Sequence, residues 1–485
     1  MPLERILVAL ALLLFSVVFP RTGAGTSDAP EGVPRCGDGA TAGALGAGDP
    51  YFPRYGNGGY DVQHYELAIR YRPASNVLRG IATIEALATQ ELSCFSLDLN
   101  GLRVGSVEVD GLAAEWSRTT QDLKITPAQP LADGAPFTVE VRYRGVPRPF
   151  VLPGTTIPSG FIHTSDGFIV AGEPESAATW FPVNDHPTDP ATYSFRVTVP
   201  AGLQVVANGV RERVASNGDR RTHVWQVREP MASYLATVDV GEFRLRFDET
   251  GSGVPLIDAV HRDLGHRVDD ALARQPAILS FLESRFGTYP FESVGAIVTH
   301  SRRLGFALET QTRPIYPRWY FPGAVPVIVH ELAHQWFGDL IAVERWQHIW
   351  LNEGFATYAE WLWSEDRGQG TTRERLRDTF DGIPAEHPFW RVVVGDPGPD
   401  DLFHDAVYTR GAMTLQALRE EIGNVAFFDT LRAWIETNAF GTGTTEEFIA
   451  LAEQESGQQL DELFDVWLFT PRKPPASAVS GSTEP

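Results

Sequence analysis

Hydrophobic and polar residues alternate between about Tyr60 and Phe247. The clearest runs are YELAIRY, FTVEVRY and FRVTV, separated by turn dipeptides such as Asn208-Gly209. A period of two puts the apolar side chains on one face of a β-strand. This stretch therefore predicts antiparallel strands forming a β-sandwich-like domain at residues 55–247. The apolar members of the three runs are Tyr65, Leu67, Ile69, Tyr71, Phe137, Val139, Val141, Tyr143, Phe195, Val197 and Val199.

The periodicity changes after about residue 250, where apolar residues recur every three or four positions. This spacing predicts a helix over residues 268–286, ending at Gly287, and Thr444 with Glu447 forms a capping-box pattern before a later helix. Residues 248–470 therefore predict a mainly helical second domain, and the fold class is multidomain α+β. The further predicted helices are 325–338, 353–366, 409–421, 424–437, 445–455 and about 460–469.

The two ends of the chain differ from these domains. Arg5 precedes an apolar run from Ile6 to Phe19, and small residues follow it. This order is typical of a secretory signal peptide, here residues 1–24 with cleavage near Ala24, and predicts a secreted protein. Because a bilayer-spanning helix needs about 20 apolar residues, an uncleaved membrane anchor is the weaker alternative. Residues 25–54 and 471–485 read as a flexible leader and a disordered tail.

Composition narrows the class of protein. Hydrophobic residues make up 43% of the chain and its formal net charge is −22. These values are typical of a globular protein and argue against nucleic acid as a partner, since phosphates would be repelled. The two cysteines, Cys36 and Cys94, can pair in an exported protein, but the sequence does not show that they meet. They are too few for a thiolate zinc site.

The segment HELAHQWFGD carries the candidate metal chemistry. His330 and His334 lie four residues apart, so a helix presents both imidazoles on one face, where they can share one Zn²⁺. Glu331 directly follows the first histidine, and its carboxylate can reach a metal-bound water. Glu353 in WLNEGFATYAEW offers a third ligand, which leaves one position open. A core helix with two hydrogen-bonded histidines, and a helix-start carboxylate at Glu353, are the alternatives.

Glu360 lies two helical turns beyond Glu353 on the same face. It can hydrogen-bond a ligand histidine, or it is an exposed helix charge, and the sequence favours neither reading.

These motifs together resemble the gluzincin peptidases, and more widely the M1 family of zinc aminopeptidases. The resemblance covers about residues 55–470 and includes GNGGYDVQHYEL near the start, WFPVNDHP at 180–187, FGTYPFESV at 286–294 and VYTRGAM at 407–413. It implies an N-terminal β-domain, a thermolysin-like catalytic domain and one zinc ion per chain. Many members also carry a long helical C-terminal domain. Because this sequence ends soon after Trp467, we expect a more open cleft, or closure by another subunit.

The resemblance also implies roles for three further residues. Tyr408, in YTRG where the family has Y-x-K-G, would stabilise the oxyanion. Glu309 would bind the substrate ammonium group, although Phe306, Leu308 and Thr310 depart from the family's G-x-M-E-N. Glu173 would make a second acidic contact from the β-domain, where Ala171 replaces a glutamine. The alternatives are a structural tyrosine at Tyr408 and a loop carboxylate at Glu173.

The sequence therefore predicts a zinc aminopeptidase that removes N-terminal residues from peptides with a free N-terminus, outside the cytoplasm. A zinc endopeptidase, a non-peptide zinc hydrolase and a non-catalytic binding protein on the same scaffold are the alternatives. The preferred residue and the oligomeric state stay open.

Overall fold

The computed structural model describes residues 41–151, 156–321 and 323–479. Its strands, in chain order, are β1 (Tyr60–Arg72), β2 (Val77–Ala88), β3 (Phe95–Asp98), β4 (Arg103–Val109), β5 (Leu112–Ala113), β6 (Glu115–Arg118), β7 (Asp122–Thr126), β8 (Pro136–Gly145), β9 (Phe150–Val151), β10 (Pro158–His163), β11 (Phe168–Ala171), β12 (Ala191–Pro200), β13 (Gln204–Ala207), β14 (Val210–Asn217), β15 (Arg220–Met231), β16 (Val238–Gly241), β17 (Phe243–Glu249), β18 (Pro255–His261), β19 (Val294–Thr299), β20 (Ile315–Pro317), β21 (Ile341–Val343) and β22 (Gly441–Gly443). The α-helices are α1 (His266–Leu272), α2 (Gln275–Phe286), α3 (Val325–Ala333), α4 (Trp350–Asp366), α5 (Thr372–Gly382), α6 (Asp405–Asn438), α7 (Thr445–Ser456) and α8 (Asp461–Phe464).

The first domain is built on a large sheet with the strand order β14-β15-β12-β1-β2-β8-β4-β5. Its neighbouring strands are antiparallel, except that β1 and β12 run parallel. The alternating apolar residues of β1, β8 and β12 are all buried, which confirms the strand-rich domain predicted from the period of two. Smaller sheets, β13-β16-β11-β10-β9 and β3-β7-β6, complete it.

The second domain begins with the sheet β17-β18-β19-β20 and continues as helices. β17, which lies at the end of the predicted first domain, pairs along its whole length with β18 of the second. Alternation alone shows that β17 is a strand but not which sheet it joins.

The predicted helix over 268–286 is two helices in the structure, because Pro276, in the first turn of α2, cannot continue a preceding helix. The predicted helices over 409–421 and 424–437 are the two parts of α6, which Gly423 separates with a non-helical backbone whose φ of 82° glycine adopts readily. The capping box of Thr444 and Glu447 is confirmed at the start of α7.

The described part of the predicted leader, residues 41–54, is packed rather than flexible. Asp49 is buried, its carboxylate accepts hydrogen bonds from the Tyr51 and Phe52 amides, and it accepts a third, at 2.8 Å, from the Trp346 amide of the second domain. Small residues made this segment look like a linker, but the hydrogen bond from Trp346 to the buried carboxylate of Asp49 connects it to the second domain.

The start of the predicted tail is also ordered. Lys473 donates hydrogen bonds to the carbonyl oxygens of Phe380 and Ile383, and residues Ala476–Val479 form a helical turn. Predictions on residues 1–40 and 480–485, including the signal peptide and Cys36, lie outside the described residues. Cys94 is buried, and its pairing stays a prediction. Within the described ranges, no helix has the length and apolar character needed to cross a membrane.

Candidate active site

Two helices bring the three predicted metal ligands together. His330 lies in the last turn of α3 and His334 directly follows that helix, so their rings are 4.7 Å apart between centroids and tilted by 74°. Glu353 lies in the first turn of α4. Its Oε2 atom is 3.1 Å from the Nε2 atom of His330 and 3.4 Å from that of His334.

The other nitrogen of each imidazole has its own acceptor. The Nδ1 atom of His330 is 2.8 Å from the Oε1 atom of Glu360, and the Nδ1 atom of His334 is 2.9 Å from the carbonyl oxygen of Phe337. Acceptors at these positions place the ring protons on Nδ1 and leave the Nε2 lone pairs facing Glu353. Glu360 thus lies where a carboxylate orients a ligand histidine.

These donors fit a zinc ion. In a tetrahedral site with bonds of about 2.0–2.1 Å, neighbouring ligand atoms are about 3.3 Å apart, and the two distances from Glu353 to the histidines, 3.1 and 3.4 Å, bracket that value. Two imidazole nitrogens and one carboxylate oxygen are also the donor types of a catalytic zinc site with an open position. His330, His334 and Glu353 would therefore hold the ion.

Electrostatics keep the third ligand ionised. Burial alone would raise the pKa of Glu353, but the imidazoles of His330 and His334, 3.1 and 3.4 Å from its Oε2 atom, lower it to about 2. A carboxylate in this form is the metal-binding form.

Glu331 lies next to the ligand cluster without belonging to it. One carboxylate oxygen each of Glu331 and Glu309 lies with a ring nitrogen of His334 in a group whose atoms are within 4.8 Å of one another. Burial raises the pKa of Glu331 to about 8, and the nearby histidines oppose this shift. A carboxyl group whose pKa lies near neutrality is suited to both accepting and returning a proton.

Tyr408 reaches the same centre from α6. Its ring centroid is 6.0 Å from that of His330, and burial followed by the charge of Glu353 raises the pKa of its hydroxyl well above the usual range. The helices α4 and α6 approach closely here, since a Cβ atom on Gly354 would lie 3.0 Å from the Cα atom of Gly411. Glycine at both positions thus allows the two helices to approach closely, and the raised pKa keeps Tyr408 protonated as a hydrogen-bond donor.

Glu309 and Glu173 form an acidic end to the site. Both side chains are buried, and one carboxylate oxygen of Glu173 has no hydrogen-bond partner. Burial and then the charge of Glu309 raise the pKa of Glu173, and burial raises that of Glu309. Because positive charges only partly neutralise these two buried carboxyl groups, the groups favour the binding of a cation between them.

Several neighbours of this acidic end were not predicted from the sequence. The hydroxyl of Tyr234 donates to the Oε1 atom of Glu309 at 3.3 Å, and the side-chain amide of Gln335 donates to the Glu309 carbonyl at 2.9 Å. Asp339 is buried near Glu309 and Glu331, and burial with these charges raises its pKa. Gln335 and Asp339 belong to HELAHQWFGD, so their position beside the histidines was a usable signal, whereas Tyr234 lies far away in the chain.

Comparisons with known proteins cover both domains. Residues 61–235 match the Peptidase M1 N-terminal domain and residues 282–467 match the Peptidase family M1 domain. The chain is 28% identical over 332 residues to Aminopeptidase M1 of Arabidopsis thaliana, with 63% of this chain and 37% of that protein covered. It is 24% identical over 443 residues to Probable aminopeptidase 2 of Sulfurisphaera tokodaii, with 84% and 53% covered.

The chain thus spans about half, or less, of the length of these relatives. A solved structure of an M1 zinc metallopeptidase from Deinococcus radiodurans is similar over 99% of its own chain and 89% of this one. The two are 30% identical, with a TM-score of 0.81. A mutant of that enzyme is described as bound to a Tyr-Ser-Ala substrate.

Proposed function

We propose, from the premise that this chain belongs to peptidase family M1, that it is a zinc-dependent aminopeptidase that removes residues from the free N-terminus of peptides outside the cytoplasm. The proposal depends on one observation, that a predicted zinc site and a buried acidic site lie next to each other. The His330–His334–Glu353 cluster has the spacing of a zinc site, and the buried Glu173 and Glu309 lie beside it.

Each side chain has a role that its position supports. Zinc, when bound, supplies the Lewis acid that polarises the scissile carbonyl and acidifies water. Glu331 accepts a proton from the attacking water and delivers it to the leaving amine. Tyr408 donates a hydrogen bond to the developing oxyanion. Glu360 positions His330 by accepting its Nδ1 proton.

The acidic end supports the choice of an exopeptidase. An α-ammonium group between Glu173 and Glu309 would neutralise two buried carboxylates and form charge-assisted hydrogen bonds with them. The same side chains would leave little space for a chain continuing past the N-terminus. The Tyr-Ser-Ala substrate of the Deinococcus radiodurans relative, a short peptide, supports this class of substrate.

The test compares aminoacyl amides carrying a fluorogenic leaving group with their N-acetylated forms, with and without a chelator. We expect hydrolysis of the free aminoacyl amides, at least about 100-fold slower hydrolysis of the acetylated forms, and loss of both activities on chelation. Equal hydrolysis of the free and acetylated forms would show an endopeptidase or another zinc hydrolase instead.

The proposed location rests on the sequence before residue 25. An apolar run from Ile6 to Phe19 after Arg5 supports export. The measurement is N-terminal sequencing of the protein produced by cells that secrete it: a mature start near residue 25 in the medium is expected, and an intact start retained in the cells would contradict export.

A further inference from the structure

A basic cavity is lined by residues other than the metal ligands and the two glutamates of the acidic end. It has a volume of about 580 Å³, and it forms where the turn between β10 and β11 meets the loop after β19 and the residues after β20. Among the described residues, no aspartate or glutamate lines it. Its basic and hydroxyl-bearing lining includes His163, Ser165, His300, Arg302, Arg303 and Arg318.

The three arginines of this cavity have no carboxylate partner. Neighbouring segments of the second domain pair their arginines, for example Arg246 with Asp258 and Arg262 with Glu242. No such ion pair involves Arg302, Arg303 or Arg318 within the parts of the chain that the structure describes, and all three are exposed. In a chain with a net charge of −22, this grouping is a local positive field open to an incoming anion.

The two imidazoles respond to that field. Burial lowers the pKa of His163, and the charge of Arg303 acts in the same direction. The hydrogen bond from His163 to the Pro147 carbonyl partly opposes this shift. Burial lowers the pKa of His300, His261 and then Arg318 act in the same direction, and the charges of Asp166 and Asp263 oppose them. Both rings are therefore neutral near pH 7, and the positive charge of the cavity resides on guanidinium groups, which bind carboxylates in a bidentate manner.

Two segments connect the basic cavity to the acidic end of the active site. One runs from Ser165 through β11 to Glu173, and the other runs from Arg303 to Glu309. Near the cavity, the Ser165 hydroxyl of the first segment is 2.9 Å from the Nε2 atom of His300, three residues before the second segment begins. At the acidic end, the charge of Glu309 acts on Glu173.

The length of the segment from Arg303 to Glu309 limits how long a ligand that contacts both of its ends can be. Five residues lie between Arg303 and Glu309, so their Cα atoms are at most about 20 Å apart. An extended peptide of about six residues would span this maximum distance. A site with carboxylates at one end and unpaired guanidiniums at the other is complementary to the two charged ends of such a peptide.

We propose that the cavity formed by Arg302, Arg303 and Arg318 binds the C-terminal carboxylate of short peptides whose N-terminal ammonium group lies at Glu173 and Glu309. This inference rests on the proposed aminopeptidase function and adds a preferred substrate class to it: oligopeptides of about five to seven residues with a free C-terminus. The arginines bind one end of the substrate and take no part in bond cleavage.

The experiment uses peptides of three to nine residues that share one N-terminal residue, each as the free acid and as the C-terminal amide. An aminoacyl amide with the same N-terminal residue is the reference substrate. For the parent, we expect kcat/KM to be about tenfold higher for the free acid than for the amide at five to seven residues, through KM, with no difference at three.

We expect the Arg303→Gln/Arg318→Gln double variant to lose this preference. The ratio of peptide hydrolysis to aminoacyl-amide hydrolysis should fall about tenfold for the free-acid peptides and stay unchanged for the C-terminal amides. Arg103→Gln, at an exposed arginine of β4 that does not line the cavity, is the matched control and keeps the preference. All three substituted arginines are exposed, so folding should survive.

Three results would overturn the proposal: equal rates for acids and amides at every length, an equal loss for both forms in the double variant, or an arginine-dependent effect of inorganic phosphate on aminoacyl-amide hydrolysis, which would assign the cavity to free anions. If the parent hydrolyses none of these substrates, the proposed function fails separately. Equilibrium binding of the same acids and amides to zinc-loaded Glu331→Gln protein then still decides whether the cavity recognises the carboxylate.

Discussion

Glu331 lies close to His334 but is not one of the three predicted metal ligands. The His334 ring is oriented by its hydrogen bond to the Phe337 carbonyl and does not depend on Glu331. We therefore expect Glu331→Gln to keep the zinc ion and to lose proton transfer. Its kcat should fall at least about 100-fold, with zinc content unchanged at one ion per chain. Steady-state kinetics and metal analysis of the same sample measure the two effects. Glu344→Gln, at a partly exposed glutamate, is the control, and a variant as active as the parent would refute the assignment of the base.

Glu360 acts through His330 rather than on the substrate, because its Oε1 atom is 2.8 Å from the Nδ1 atom of that ring. Glu360→Gln should weaken zinc binding about 10–100-fold, since the imidazole loses its charged acceptor. Competition with a chromogenic chelator gives the affinity, and kcat at saturating zinc should stay within about tenfold of the parent. Glu436→Gln, on the exposed side of α6, is the control. An unchanged zinc affinity would indicate that Glu360 is an exposed charge of the helix with no role in zinc binding.

Spacing along the chain explains why some of these residues were predictable and others were not. Helical geometry placed His330 and His334 on one face of a helix, whereas the third ligand, Glu353, was expected to join them from the resemblance to the M1 family. Tyr234 reaches Glu309 across 75 residues and a domain boundary. A contact of that kind depends on how two domains pack, and no local period encodes it.

Elements of the second domain were predicted better than their ends. Helical periodicity located α2, α4, α7 and the two parts of α6 on either side of Gly423, but Pro276 divided one predicted helix. This difference arises from the backbone restriction of proline, to which side-chain periodicity is insensitive. The packing of residues 41–54 was missed for a similar reason, because composition does not reveal one buried carboxylate.

The start of α6 is joined to the C-terminal elements through Arg410. Its buried guanidinium donates to the carbonyls of Trp390 and Val392, and at 2.9 and 2.7 Å to those of Val466 and Thr470. A lysine ammonium is a compact group that cannot span four acceptors. Arg410→Lys should therefore leave carbonyls unsatisfied and destabilise the protein by about 2 kcal/mol.

Thermal unfolding at fixed zinc concentration measures this loss. Arg391→Lys, at an exposed arginine in the turn before α6, is the matched control and should stay within about 0.5 kcal/mol of the parent. An Arg410→Lys protein as stable as the parent would show that solvent or a shifted backbone replaces the lost hydrogen bonds.

The packing of the protein as a whole also involves Asp49, which joins residues 41–54 to both domains. Burial would raise its pKa, but His186 and the amides of Trp346, Phe52 and Tyr51 lower it below the usual value. A depressed folded-state pKa contributes stability above the unfolded-state pKa of about 4, and that stability is lost as the pH falls through the folded value.

Asp49→Asn should therefore destabilise the protein by about 1–3 kcal/mol at pH 7, where the parent carboxylate is ionised. The difference from the parent should shrink below about pH 4, as the parent loses the same contribution. Unfolding midpoints at pH 7, 5 and 3.5 measure this trend. Asp133→Asn, at an exposed aspartate before β8, should show no such convergence, and a constant difference for Asp49→Asn would exclude the carboxylate charge as its cause.

Zinc should also stabilise the folded chain, because its proposed ligands lie on α3 and α4 and the ion joins the two helices. Free metal at about 1,000 times its Kd adds about 4 kcal/mol, so a chelator should lower the Tm by several degrees. Glu353→Gln lacks one ligand and should lose most of this response. A response that persists in Glu353→Gln would point to a second metal group in the described residues, Asp166, His261 and His300. The Nε2 atom of His261 is already 3.2 Å from Asp166 and that of His300 is 2.9 Å from the Ser165 hydroxyl, so we expect the response to follow Glu353.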